Sequence, residues 1–563
     1  MSESNYWVLG HRLSRRTVLL GAALGGGALA TAALIGCKSN SKPAASGNTP
    51  AQTGTAAPAA TLKTGGRLAV MLNVDSPTFD MHTSTTIATN YPTAVAYNQL
   101  VQLDPLIGSE KPDGIVPDLA EKWEIAPDGM TYTFHLVKNA KFHDGTPFSA
   151  DDVKASIERN WQPPKGLVVP RSLQFQPLKS VDVPDPSTVV LKLSRPVSPL
   201  SFLPILAQGP MGIYSKKDIV GNFDYKTKMN GTGPYRFKEY VKGNRLSFDK
   251  NKEYFVKDRP YLDGVDIFVI LDDSNALANT QSGSLDIYNR GSAANVETLK
   301  QAMGNKAVFQ DVGAYRSNGI DINGKRAPFT DARVRAAITM GTDKASSLSV
   351  LAKGDGDLGG LMPPRGPWAL SAQELAQIPG YGPYNAAALA EAKKLLAAAG
   401  VTSTQKVAVL TRNTAADENV GLFMVEQLKR MGLDARLDSQ VNVETTKKLN
   451  AGDFDLNVSG GAFALDDPDA LFSENYLSSS QGNSTGLGGK ELDDLYLAQS
   501  QEQDQKKRIE LVKNMQKFAI GQHGRIVFFW DRRHGVIAKR VKNYVMHTSN
   551  LNNNRYQDVW LDA

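Results

Sequence analysis

The sequence predicts an α/β protein built as two lobes. From residue 66 onward, stretches in which β-branched and aromatic residues alternate at period two change places with stretches of helical spacing. A strand–helix–strand run within residues 406–437 repeats that alternation in its simplest form. The 563 residues suffice for two or three domains of ordinary size. A hydrophobic share of 41% excludes a multi-span membrane protein. The net charge of +6, from 63 basic and 57 acidic side chains, is too small at this length to indicate nucleic acid. Cys37 is the single cysteine, so the body has no intrachain disulfide and no cysteine metal site.

Residues 1–37 read as a targeting segment rather than fold. Ser14-Arg15-Arg16-Thr17 is similar to a twin-arginine export signal, and an apolar Gly/Ala-rich run follows it. Leu34-Ile35-Gly36-Cys37 is similar to a bacterial lipobox, whose cysteine is lipidated and becomes the new N-terminus. Residues 38–65 carry almost no large apolar side chain and cannot bury a core, so they are expected to be a disordered tether.

The body opens with a strand at Arg67–Leu72, followed by the loop Ser76-Pro77-Thr78-Phe79-Asp80 and then Met81-His82. Pro127-Asp128-Gly129 sets a turn ahead of an alternating strand at 131–136. Asp144-Gly145 sets the next turn, and Ser149 with Asp152 reads as a capping box whose helix stacks Val153 on Ile157. Two strands within 181–193 flank a Pro-Asp-Pro turn. Gly231-Thr232-Gly233 permits a sharp entry into another strand, and strand 267–271 precedes a helix at 275–282. A second lobe opens near Val312 with a strand at 318–323 and a helix from about Pro328. Asn385 caps a helix that Gly400 ends, with Leu389, Ala392, Leu396 and Ala399 on one face. Strands at 406–410 and 433–437 bracket a helix with Val420, Met424, Leu428 and Met431 inward. A strand at 454–458, a helix at 502–520 and an apolar strand at 525–530 complete the second lobe before the tail returns to the first.

Several of these segments together resemble the extracytoplasmic solute-binding proteins of the peptide, opine and nickel uptake family (family 5), the binding components of ABC importers. They are Pro117-Asp118-Leu119-Ala120, Trp123, Asp128-Gly129, Phe142-His143-Asp144-Gly145-Thr146 and Ala150-Asp151-Asp152-Val153, then Gly231 to Phe237, Arg259 to Val265 and Pro328 to Ile338. The resemblance implies a two-lobed periplasmic-binding-protein-like fold, with an extra subdomain in the first lobe and a hinge between lobes. Lobe I is expected at 66–310 with its subdomain at about 104–225, lobe II at 311–527, and a return to lobe I at 528–563. It also implies an interlobe ligand cleft, no enzyme activity, no cofactor, and partners that are permease subunits driven by cytoplasmic ATPases. The chain is then a monomer held to the membrane by its lipid alone, outside the cytoplasm in the periplasmic space. An exported receptor that presents ligand to a sensor is the alternative reading. A hydrolase on the same scaffold would need a nucleophile–base pair.

No such pair is evident. The sequence has no P-loop, no G-x-S-x-G elbow and no H-E-x-x-H. None of the seven histidines stands at metal-ligand spacing from another ligand, and His143-Asp144 lies in a turn. Asp466, Asp467 and Asp469 lack the glycine and distal glutamate of a calcium loop. The candidate ligand contacts are therefore cleft residues. Met81 and His82 follow a loop that lines the cleft in the family. Tyr91, Phe463 and Tyr476 could stack on sugar or apolar groups. Arg412, with Asn413, ends a predicted strand and could take a ligand carboxylate. In peptide-binding relatives the segment before Asp467-Pro468 carries a tryptophan and, three residues on, an aspartate that pairs with the peptide's α-amine. Those positions are Gly461 and Ala464 here. Either Asp466 takes over that amine, or the ligand is not a simple peptide. The cargo is accordingly peptide-like, sugar-like or another small organic solute.

The lipobox carries the first prediction. Intact-mass analysis of the membrane fraction should find residues 1–36 removed and Cys37 carrying two or three acyl chains, because a single chain anchors weakly. Met1 still joined to an unmodified Cys37 would refute it.

Overall fold

The computed structural model describes residues 62–109, 114–460 and 465–562. Cys37, the leader, most of the tether, Gly461, Phe463 and Ala464 lie outside the described residues. Two long antiparallel strands, Ala307–Ile322 and Arg525–Ala538, form the spine of the molecule. Among the described residues they sit inside one 11-stranded sheet. On one flank lie Ile287–Gly291, Arg67–Leu72, Gly264–Val269, Arg245–Lys250 and Tyr235–Val241. On the other lie Leu456–Ser459, Lys406–Arg412 and Asp434–Gln440. The fold is thus α/β and two-lobed, one flank of the sheet serving each lobe.

Each lobe has its own core. Leu68, Val70, Tyr97, Tyr235 and Ile267 anchor the first, while Ile320, Val334, Val409, Met424 and Phe528 anchor the second. The parallel pairing of Lys406–Arg412 with Asp434–Gln440 across helix Ala415–Arg430 is the strand–helix–strand unit expected from the spacing. A separate four-stranded sheet joins Ala120–Ile125, Thr131–Leu136, Thr188–Leu193 and Leu178–Asp185. It packs Phe134, Val153, Ile157 and Leu191 into a third core. The Ser149/Asp152 capping box starts its helix, Ala150–Trp161. Gly231 and Gly233 have a steric role beyond the turn: an added Cβ would stand 2.0 Å from the Ala96 carbonyl oxygen and 2.4 Å from its carbon. Among the described residues, no helix is long and apolar enough to cross a membrane.

Three expected elements differ. The strand expected at 318–323 begins eleven residues earlier, at Ala307, because Val308 to Val312 pair with Arg533 to Ile537 despite Gly313. The strand expected to end at Trp530 continues to Ala538 through Asp531-Arg532-Arg533-His534. The helix expected at 502–520 starts three residues later, as Gln505–Gly521, because Asp504 caps it, and a further helix, Gly489–Gln501, precedes it.

Four helices meet at a buried polar knot. Arg508, with a fully buried side chain, donates from Nη1 and Nη2 to Asp467 at 3.0 and 3.1 Å. Its guanidinium lies 4.7 Å from the Trp368 ring. Asp469 accepts from Ser500 Oγ at 2.8 Å, from Gln499, and from Ser201 Oγ at 2.5 Å on helix Pro199–Ala207. Truncating the arginine strands two buried carboxylates. Arg508→Ala should therefore cost about 3–5 kcal/mol in urea unfolding, the usual cost of breaking a buried pair. A loss below about 1 kcal/mol would show that water reaches the knot.

Candidate ligand site

The ladder between the two long strands is irregular in its middle. Gly313 pairs with Arg532 and Ser317 with Trp530, so Ala314, Tyr315 and Arg316 all stand opposite Asp531. A second shift follows between Asn318 and Gly319. Such bulges free side chains from the ladder and bend the strand. Two adjoining cavities lie here. One of about 230 Å³ is lined by Tyr315, Trp530, Asp466 and the Pro363–Pro367 turn. The other, of about 190 Å³, is lined by Arg316, Asp531 to Arg533, and Ser549-Asn550. Ala314, Tyr315 and Thr548 line both. Together they fall within the size range of small-molecule sites, roughly 300–1,000 Å³. Ser109 and Asp466 border the stretches 110–113 and 461–464, which are outside the described residues.

The walls combine rings and prolines with ion pairs. Arg365 pairs with Asp357 at 2.9 Å, and Arg316 with Asp531 at 3.1 Å. Asn318 Nδ2 donates to Asp531 at 2.6 Å. Arg532 pairs with Asp311, while His534 Nε2 lies 2.7 Å from Asp355. Burial, seconded by neighbouring Asp467, pushes the Asp466 carboxyl well above the usual carboxylate range. The turn fits against it, since a Cβ on Gly366 would sit 1.9 Å from Asp466 Oδ2. Trp368 Nε1 donates to the Asp466 carbonyl at 2.6 Å and fixes this segment.

Among the expected ligand contacts that are described, Asp466 alone lines these cavities. Met81 is packed in the first lobe's core. His82 stacks on Tyr214 at 4.1 Å, has Nε2 2.9 Å from the Gly212 carbonyl, and is held near pKa 4 by burial. The space beside it is about 10 Å³, room for a single water at most. The Tyr91 hydroxyl is 2.6 Å from that of Tyr556, inside the same core. Arg412 is exposed at its strand end and paired with Asp417 at 2.8 Å; Asn413 beside it is exposed too. Asp467 caps helix Pro468–Asn475 and holds Arg508, and Tyr476 accepts from Arg525 at 3.1 Å in the second lobe. His143, which stays in its turn, has Nε2 3.0 Å from the Gly233 carbonyl. Sequence reasoning missed Tyr315, the Pro363–Pro367 turn, Arg533 and Thr548. A signal existed for two of these: a proline-rich breaker run, and four charged or titratable residues inserted into an otherwise apolar strand.

The comparisons with known proteins agree with this architecture. A model described as bacterial extracellular solute-binding proteins, family 5 Middle, matches residues 114–483. The probable D,D-dipeptide-binding periplasmic protein DdpA of Escherichia coli K12 is 27% identical over 469 residues, which are 80% of this chain and 86% of that protein. AgaA of A. tumefaciens R10, solved with agropinic acid, superposes with a TM-score of 0.74 at 24% identity, over 88% of this chain and 99% of that one. DppA of Helicobacter pylori, solved with the peptide STSA, gives 0.73 at 23% identity over 89% and 99%. These relatives are binding proteins rather than enzymes. With the model match spanning well over half its length, the chain belongs to the bacterial extracellular solute-binding proteins of family 5 and serves as the extracytoplasmic binding component of an ABC importer.

Proposed function

We propose that this chain captures a medium-sized organic solute, peptide-like in its general class, in the two adjoining cavities between its lobes and delivers it to the permease subunits. The observation that carries this reading is the position of the cavities. They flank the bulged middle of the two strands that run from one lobe into the other. The lobes are taken as 66–310, with a subdomain at about 104–225, and 311–527, with 528–563 returning to the first. Their junctions fall inside these strands, so bending at the bulges opens and closes the cleft. Ser201 of the subdomain reaching Asp469 of the second lobe is the kind of contact that closure makes and opening breaks. Cys37 anchors the monomer by lipid, and residues 38–65 tether it outside the cytoplasmic membrane. The relatives named above are a probable D,D-dipeptide-binding protein and proteins solved with agropinic acid and with a peptide, which supports a cargo class broader than ordinary dipeptides.

The cargo does not depend on an acidic partner for a free α-amine. The replacement of the family's tryptophan and aspartate by Gly461 and Ala464 supports this, as does the upward push that burial gives the Asp466 carboxyl. A lost charge-assisted hydrogen bond of roughly 1.5–3 kcal/mol weakens binding about tenfold to a hundredfold. Calorimetry with a tetrapeptide and its N-acetylated twin should find the twin bound at least as tightly. Small-angle scattering on the saturated sample should find a smaller radius of gyration than without ligand. Submicromolar binding of the free-amine form, lost on acetylation and in Asp466→Ala, would give the amine to Asp466. An unchanged scattering profile at saturation would refute closure.

A further inference from the structure

The arginines around the two cavities differ in one respect. Arg316, Arg365 and Arg532 each meet a carboxylate. Arg533, on the same strand, meets none among the described residues. Its Nη1 donates to two backbone carbonyls, His547 at 2.6 Å and Thr548 at 3.4 Å. Its Nε and Nη2 make no hydrogen bond among the described residues. The side chain is half-buried in the wall of the 190 Å³ cavity. The groups around it are neutral: Tyr544, Tyr91, Tyr556 and His547, the last kept near pKa 3 by burial and by Arg533 itself. Thr548 Oγ1, lining both cavities, is buried and has no hydrogen-bond partner among the described residues.

A guanidinium withdrawn from water without a counter-charge is unfavourable unless something supplies one. The two carbonyls grip one nitrogen and so fix the plane of the fork. The opposite edge, Nε with Nη2, presents parallel donors at the spacing of a carboxylate's two oxygens. We infer that Arg533 receives a carboxylate of the bound solute, so that the cargo is an organic acid with its anionic end in the smaller cavity and its body against Tyr315 and Trp530. This rests on the solute-binding reading above and narrows it from solutes in general to acids. It also moves the acid-binding role from Arg412, which Asp417 already neutralises.

The test uses the full chain and matched probes: di- to pentapeptides as free acids and as C-terminal amides, and sugar acids beside their carboxamides, all by calorimetry. Every probe that binds should be an acid, and its amide should bind at least about tenfold more weakly. In Arg533→Gln the difference between acid and amide should vanish. In Arg533→Lys the preference should survive at lower affinity, because the charge remains and the fork does not. Amides that bind the unaltered chain as tightly as their acids would overturn the inference without touching the solute-binding reading, and that comparison needs no variant to fold. A tenfold preference persisting in a folded Arg533→Gln would overturn it too. A panel in which no probe binds would overturn both.

Discussion

The structure depends on one β-ladder, the pairing of Ala307–Ile322 with Arg525–Ala538. Backbone groups withdrawn from water must be paired, so a ladder this long imposes one register on both lobes. It is regular toward the first lobe, where Ala307 to Gly313 face Arg532 to Ala538, and again toward the second, where Gly319 to Asp321 face Arg525 to Val527. Between those stretches the register fails twice. A failure in the middle of an otherwise continuous ladder concentrates bending there and leaves side chains without a place in the pleat. The same few residues line the two cavities.

Polar burial is handled in opposite ways at the two places where the lobes meet. At the Arg508 knot one buried guanidinium meets two buried carboxylates, and Gln499, Ser500 and Ser201 complete the network with hydrogen bonds. At the cavities Arg533 meets no carboxylate among the described residues. Asp466 is driven toward neutrality by burial, and Arg533 rests on carbonyls. Uncompensated polar groups weaken a fold and are retained where something else completes them. The contrast between the knot and the cavities is what separates fastening from recognition in this molecule.

Much of the fold was legible because its signals are local. The alternation at 131–136, the Ser149/Asp152 box and the inward face Val420, Met424, Leu428 and Met431 each involve residues within one turn or one strand of each other. The spine was less legible. Gly313 reads as a break, and Asp531-Arg532-Arg533-His534 reads as the end of a strand, yet each segment is held extended by the other across two hundred residues of sequence. The site was less legible still. The loop after the first strand and the end of strand Lys406–Arg412 had the composition of a binding site. Their side chains, however, meet core rings in one case and Asp417 in the other. What makes Arg533 different from Arg412 is that no carboxylate stands beside it among the described residues, a property of three dimensions that no spacing encodes.

The cavity walls show how one scaffold can serve different cargoes. AgaA and DppA of Helicobacter pylori share this fold at less than 25% identity, although one was solved with agropinic acid and the other with a peptide. Fold alone therefore does not choose the solute. In this chain the cavity walls include segments whose side chains can change without disturbing the ladder: the Pro363–Pro367 turn, the bulge Ala314–Arg316, and Thr548 to Asn550. The backbone of the bulge is already outside the regular pairing, so substituting its side chains costs no ladder hydrogen bond. Arg533 is the exception. It is a ladder residue, paired with Val312, and its guanidinium is gripped by the carbonyls of His547 and Thr548. A charge held by the spine itself keeps its position while the turn and the bulge move around it. On this argument the anionic end of the cargo is the invariant part of recognition, and the rest of the cavity sets the shape of what is attached to it.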